Sequence, residues 1–295
     1  YFRQARNRGL RFNASAEHSD FLFLPLLPVL ECLIPADPPL IECLDDRISE
    51  PDRISLFKWR DTLFQARGES RDNFVGIRGF EWTNPRHGHI NVYFSENYIS
   101  VFIGAGILTM DAFWSWFTRP TNLLGGADGL GSFNHPGRED TFASFDPGFT
   151  WNDMDYVAEA ADRMVGIELF NRGGRRGFEE FFFRALDNGW HLAPIGSEDH
   201  HELEWGALNL AKTSIISDDL SEEGLKTAMK QRRVYALLEN DAQSWADFAC
   251  LHFDADGESM GSILLRAPGD TVRLRASATL RDSNGDCSSQ PYPGQ

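Results

Sequence analysis

Short apolar and β-branched runs alternate with helix-like stretches along this chain, and that alternation restricts its architecture more than any other feature. The runs lie at 10–15 (LRFNAS), 73–82 (NFVGIRGFEW), 89–94 (HINVYF), 131–136 (GSFNHP), 164–171 (MVGIELFN), 191–197 (HLAPIGS) and 210–216 (LAKTSII). Helical patterning occupies 54–67, 110–118, 175–189 and 221–232. The last of these opens on an N-cap Ser221 with acids in its first turn. Strand–helix alternation sustained over about 230 residues predicts an α/β fold with a largely parallel sheet, open or closed into a barrel.

Two segments depart from that texture. Residues 20–52 are proline-rich and acidic with little periodicity, and read as a long insertion or lid. From about 247 the pattern alternates with period two, in DFACLHFDADGE and DTVRLRASATL, before a polar tail. The chain therefore divides into a body at 1–245 and a small antiparallel β appendage at 246–295. The opening YFRQARNRGL reads as the middle of an amphipathic helix, so further sequence is expected upstream.

Composition narrows the classes of partner. Hydrophobic residues make up 42% of the 295, including 23 Phe and 8 Trp, so a large core is available. A net charge of −16 argues against nucleic acid or an anionic membrane as the main partner. It leaves a small-molecule substrate, anionic ones included, because a bound cation inverts local charge. The four cysteines are scattered without a C-x-x-C pair, which suits neither a zinc finger nor a disulfide framework and fits a reducing, cytoplasmic setting. The apolar stretch at 20–34 is interrupted by Pro25, Pro28 and Glu31 and is too short to span a bilayer.

Ionisable residues gather beside the apolar runs. His18 follows the first, Glu81 ends the second, and His87 and His89 open the third. His135 ends the fourth, and Glu198, Asp199, His200 and His201 follow the sixth. In a parallel α/β fold the strand ends converge on one face, where active sites collect. Each station alone has a plainer explanation. A lone histidine beside a strand is commonly a hydrogen-bonded structural residue, Glu81 could pair with a nearby arginine, and NHPG is a good turn. The joint occurrence is harder to dismiss, since the chain holds only 8 histidines. Imidazole with carboxylate and no thiolate suits Zn, Mn or Fe in a hydrolytic site.

The ordered motifs G-F-E-W-T, G-H-I-N-V, N-H-P-G, G-I-E-L-F-N and D-x-H followed by W-G resemble the PHP (polymerase and histidinol phosphatase) superfamily of metal-dependent hydrolases. They are most similar to its carbaryl-hydrolase-like subgroup, and the closing segment TSIISDDLSEEGLKTAMKQRRVYA matches too. The resemblance covers roughly 1–245 and implies a distorted (β/α)7 barrel with two or three divalent ions at the strands' C-terminal ends. It implies a metal-activated water attacking a phosphoester, carboxylic ester or carbamate. Glu81 resembles the bridging carboxylate, His89 (rather than His87) and His135 resemble imidazole ligands, and His18 resembles the histidine of a T-D-H motif that here reads Ala16-Glu17-His18. Counting back from Trp205-Gly206 places the ligand acid at Asp199 and the ligand histidine at His201, with Glu198 and His200 behind them. The other register, Glu198 with His200, stays open. Glu81, Asp199 and His201 would carry the chemistry, and Arg138 and Arg172 would bind an anionic oxygen of the substrate unless they are surface ion pairs. The family's first strand carries an H-x-H pair, and no such strand precedes His18. The resemblance thus implies an N-terminally incomplete enzyme, a degenerate PHP domain that binds without turnover, or a mononuclear protein using Glu81, His89 and His135.

Overall fold

The computed structural model describes residues 1–19, 22, 58–103, 106–137, 154–171, 175–176, 178–201, 205–206, 211–238 and 249–280. The expected insertion at 20–52 lies, apart from Leu22, outside them. Helix α1 (Phe2–Asn7) precedes strands β1 (Phe12–Ala14) and β2 (Glu17–His18), and α2 (Lys58–Glu69) leads into β3 (Val75–Ile77), β4 (Gly79–Asn84) and β5 (Gly88–Tyr93). A small hairpin, β6 (Phe102–Ile103) and β7 (Gly106–Ile107), leads to α3 (Met110–Thr118). Then come β8 (Leu130–Asn134), β9 (Met164–Asn171), β10 (Arg175–Arg176), α4 (Glu179–Asp187), β11 (Ala193–Ser197), β12 (Ala211–Ile215), α5 (Glu222–Lys230) and β13 (Val234–Leu238).

The main sheet runs β10-β9-β8-β5-β4-β2, with β11 also paired to β9. The pairs β2–β4, β8–β9 and β9–β11 are parallel, as is the separate pair β1–β3. β5 breaks the expected pattern by running antiparallel to both β4 and β8. The reason is local: only Pro85–His87 separate β4 from β5, far too few residues for a parallel crossover. Asn84 folds this turn, its Oδ1 accepting from the Arg86 and His87 amides at 2.9 and 3.1 Å. Among the described residues the strands form an open mixed sheet flanked by two-stranded pairs, β1–β3 and antiparallel β12–β13, and not a closed barrel. The run at 73–82 divides into β3 and β4 at Arg78, whose guanidinium lies 3.9 Å over the Trp59 ring and donates to the Trp59 and Ser95 carbonyls.

The central strands are buried on both faces, and the two faces differ in kind. Phe80 and Trp82 of β4, Ile90 and Val92 of β5 and Phe133 of β8 are fully buried on one side. Helix α3 covers that side. Thr109 caps it by accepting from the Ala112 amide at 3.3 Å, and it buries Met110, Phe113, Trp116 and Phe117. Phe113 stacks on Trp82 with ring centroids 4.4 Å apart. The alternate residues, Glu81 and Thr83 of β4, His89, Asn91 and Tyr93 of β5, and Ser132 and Asn134 of β8, face the other way. Register puts Glu81 opposite Asn91 and Asn91 opposite Ser132, while His89 lies between Thr83 and Asn134. This second face is polar yet also buried.

Helix α5 starts where expected, Ser221 Oγ accepting from the Gly224 amide at 3.0 Å, and buries Leu225, Ala228 and Met229. Just beyond it, buried Arg232 donates to the carbonyls of Ala161, Met164 and His191 at 2.7, 3.1 and 2.9 Å, and also to those of Asp162 and Lys230. A further antiparallel sheet, β15-β14-β16, is made of β14 (Ala249–Ala255), β15 (Glu258–Ser259) and β16 (Leu274–Leu280). The Leu251 amide donates to Tyr235 Oη of β13 at 3.2 Å. The boundary expected at 246 and the C-terminal tail lie outside the described residues. Among those residues no helix is long and apolar enough to cross a membrane.

Candidate metal centre

Glu81 is the middle of the site. It alternates with the core residues Phe80 and Trp82, so its carboxylate projects from the opposite face of β4, where it is 5% exposed. Its two oxygens have different neighbours. Oε1 lies 3.3 Å from His89 Nδ1 and 3.3 Å from His135 Nε2, and accepts from Asn134 Nδ2 at 3.0 Å. Oε2 lies 3.1 Å from His18 Nδ1 and 3.4 Å from the Thr83 hydroxyl. Strand pairing brings these residues together: parallel register sets His18 beside Glu81, and antiparallel register sets His89 between Thr83 and Asn134. His135 follows β8 with φ of +24°, a backbone conformation unusual outside glycine and enriched at functional sites.

Asp199 and His201 stand beside this group. His201 stacks on His18 with centroids 5.3 Å apart, and its Nε2 lies 3.0 Å from Asp199 Oδ1. Asp199 is reached by Asn171 Nδ2 at 3.5 Å, and the same amide donates to Glu168 Oε2 at 2.8 Å. Glu168 Oε2 in turn accepts from the His135 backbone amide at 2.7 Å, so it joins the two groups. The alternate acid points elsewhere: Glu198 accepts from the Gly206 amide at 2.8 Å and lies 3.7 Å from Lys212 Nζ. His200 Nε2 is buried without a hydrogen-bond partner. The turn is aimed by a register shift between Ile195 and Gly196 and by a left-handed Asp199 (φ +46°). Gly196 is required there, because a Cβ would sit 2.3 Å from the Lys212 carbonyl oxygen.

Of the sequence candidates, then, His18, Glu81, His89 and His135 come together, with Asp199 and His201 adjoining through the His18–His201 stack. His87 lies in the β4–β5 turn. An H-x-H does occur in the chain, as His87-Gly88-His89, but it belongs to this hairpin and to no N-terminal strand, and only His89 of the pair faces Glu81. Arg138 and Arg172 lie outside the described residues. Glu168, Asn134, Asn171 and Thr83 are site residues that motif reading leaves unassigned. One signal was available for Glu168: an acid within the apolar run MVGIELFN, where a charge is costly without a partner. Asn134 reads as a turn former, yet its amide serves the Glu81 carboxylate.

Electrostatics separate the two buried acids. Burial alone pushes the Glu81 carboxyl up, but the charges of His89 and His18 and hydrogen bonds from His135 and His89 outweigh it and hold the group well below the usual carboxylate range. Burial pushes Glu168 up, and there the nearby His135 and the hydrogen bonds from Asn171 and Ser197 do not fully offset it. Burial lowers the His135 ring, but its bond to Glu81 and the nearby Glu168 and Asp199 raise it overall.

The residues fit a divalent ion. Two donors each about 2.0–2.1 Å from a tetrahedral ion are about 3.3 Å apart. That is the spacing of Glu81 Oε1 from His89 and from His135, and the donor atoms of all three residues lie within 4.8 Å of one another. The donors are imidazole and carboxylate, without thiolate, as the sequence expectation has it.

Solved structures similar to this chain include the following two. One is a two-domain protein containing a predicted PHP-like metal-dependent phosphoesterase from Bacteroides vulgatus, at 21% identity and a TM-score of 0.44, covering 77% of this chain and 64% of that one. The chain therefore spans less than two thirds of that protein's length. The other is PsfC from Pseudomonas syringae, at 10% identity and a TM-score of 0.44, covering 82% of each chain. Neither likeness is close enough to fix a family or an activity. No protein-family model matches the chain, and no curated protein matches it.

Proposed function

We propose that this protein is a PHP-type metal-dependent hydrolase acting on a phosphoester, carboxylic ester or carbamate of a small molecule. The observation that carries the reading is the divided carboxylate of Glu81, buried, with His89 and His135 on one oxygen and His18 on the other. That is the arrangement a carboxylate adopts when it serves two cations at once. Glu81, His89 and His135 would hold one ion, and His18, Glu81, Asp199 and His201 would contribute to a second; Zn, Mn or Fe suits this donor set. When bound, such ions would supply Lewis acidity and a water activated near neutral pH.

The chain's own residues do the rest. Glu81 keeps its charge in the pocket, Asn134 and Thr83 orient its two oxygens, and Asn171 orients Asp199. His201 is the most exposed of the group, its side chain 52% accessible, and so stands where substrate would enter. Arg138 and Arg172 follow His135 and Asn171 closely in sequence and are assigned to an anionic oxygen of the substrate on that ground alone.

Metal content per chain tests the proposal, measured by elemental analysis without chelators and again after adding Zn or Mn. Wild type should hold on the order of two equivalents, Glu81→Ala should lose them, and His200→Ala should keep them. A wild-type chain that stays metal-free, or equal losses in both variants, would sink the assignment. The loaded protein should then cleave a nitrophenyl phosphate, acetate or carbamate. Metal binding with no turnover on any of them would favour a binding domain.

A further inference from the structure

A hydrogen-bonded chain of side chains runs away from Glu81 along the polar face of the sheet, and its direction is determined. Asn134 Nδ2 donates to Glu81 Oε1 at 3.0 Å. Ser132 Oγ lies 3.4 Å from Asn134 Oδ1, Tyr93 Oη lies 3.2 Å from Ser132 Oγ, and Asn91 Nδ2 lies 3.0 Å from Tyr93 Oη. Asn91, Tyr93, Ser132 and Asn134 are all at least nine-tenths buried. No helix or loop imposes this arrangement. It follows from β5 and β8 lying side by side with residues 91 and 132 in register.

The polarity follows from what each group can do. A carboxylate among three imidazoles only accepts, so Asn134 must turn its NH2 toward Glu81 and its oxygen toward Ser132. Ser132 has a single proton and must spend it on that oxygen, so it accepts from Tyr93. Tyr93 then donates to Ser132 and accepts from Asn91. The phenol keeps the proton this needs, because burial pushes it up to about 12. One cost is visible. In this orientation Asn91 Oδ1 is buried without a partner, and the polarity of the chain is retained despite it.

We propose that Asn91, Tyr93 and Ser132 are positioning residues for the metal centre, acting through Asn134 to fix which way the Glu81 carboxylate presents its oxygens. Each donated proton polarises the next bond toward the carboxylate, and the chain holds Oε1 within 3.3 Å of both His89 Nδ1 and His135 Nε2. Partners one step behind a metal's ligands commonly set their orientation, and losing one weakens metal binding about 10–100-fold. The chain places Tyr93 three hydrogen bonds from Glu81, and its own hydrogen bonds among the described residues are to Asn91 and Ser132. The inference rests on the metal-site reading, and the test separates the two.

The 295-residue chain, stripped of metal and titrated with cobalt(II), reports affinity and ligand geometry together through the visible absorption band. Tyr93→Phe, which keeps the ring, and Ser132→Ala should each weaken cobalt binding by about tenfold or more and shift the band. In a Ser132→Ala background, Tyr93→Phe should cost nothing further in affinity, because the chain is already cut. A role in packing alone would instead lower stability while leaving both the cobalt affinity and the band in place. Should Tyr93→Phe fail to fold, Ser132→Cys takes its place: it keeps a weaker donor and should fall between wild type and Ser132→Ala. Wild-type affinity in Tyr93→Phe, or the same loss in both backgrounds, overturns the proposal, as does Ser132→Cys no tighter than Ser132→Ala. Absence of any cobalt band in the wild type would strike the metal-site reading itself.

Discussion

Glu81 and His135 are each coupled to the other's charge, and the consequence is measurable without a substrate. In the folded chain Glu81 lies well below its ordinary 4.5, so its contribution to stability is fully present above 4.5 and is lost as pH falls through the folded value. His135 is raised from 6.5, so its contribution is complete below 6.5 and lost as pH rises through the folded value. Glu168, raised from 4.5, contributes fully below 4.5 and loses that contribution as pH rises through its folded value. With a chelator present, thermal stability should therefore be highest near the ordinary carboxylate range and fall as pH rises through and beyond the imidazole range. Glu81→Gln should remove the acid arm of that profile, and a superimposable profile would contradict the coupling. At this scale the candidate ligand residues are legible in the sequence, because imidazole and carboxylate stand out beside apolar runs. Glu168, Asn134 and Asn171 are less so: an acid or amide inside a strand carries no mark of the side chain it will meet, which is set by register between distant segments.

The elements show where periodicity helps and where it misleads. GHINVY alternates polar and apolar residues, which ordinarily reads as a half-exposed strand, yet every residue of β5 is buried. The polar set faces a lined interior, so alternation here separates two interiors and not core from solvent. The direction of β5 also escapes a rule of strand–helix alternation, since a turn as short as Pro85–His87 permits only a hairpin. At β11 the local chemistry is more readable, and it makes a prediction. Gly196→Ala would force a Cβ to within 2.3 Å of the Lys212 oxygen, displacing the turn that carries Asp199. A cost of about 1–3 kcal/mol is expected from denaturant unfolding. Metal analysis should show loss on the Asp199 side while the Glu81, His89 and His135 pocket still binds. Complete loss of metal from a folded variant would show that the two halves are not separable.

Across the molecule, long-range closure depends on a cation that makes no ion pair among its described contacts. Arg232 gathers carbonyls from 161–164, from His191 ahead of β11 and from the end of α5, segments up to 71 residues away. Burial lowers its pKa, but a guanidinium retains its charge throughout the physiological range. Arg232→Met should strand several buried acceptors and cost about 3 kcal/mol or more, read as a lower urea midpoint. Arg232→Lys should not restore it, since one ammonium cannot span the same carbonyls. Nothing in QRRVYA marks this arginine over its neighbour Arg233, because the distinction lies in a left-handed backbone at 232 (φ +57°).

The buried polar face has one more effect, on the choice among strand pairings during folding. A slip of a single residue in β5 would drive His89, Asn91 and Tyr93 into the aromatic layer under α3 and turn Ile90 and Val92 toward Glu81. An all-apolar strand in the same place would tolerate that error, since either register would bury hydrocarbon on both sides. Here the mistake strands polar groups in grease and leaves a carboxylate facing methyls. The residues that weaken the interior as a core thus proofread the alignment of the strands that bear them.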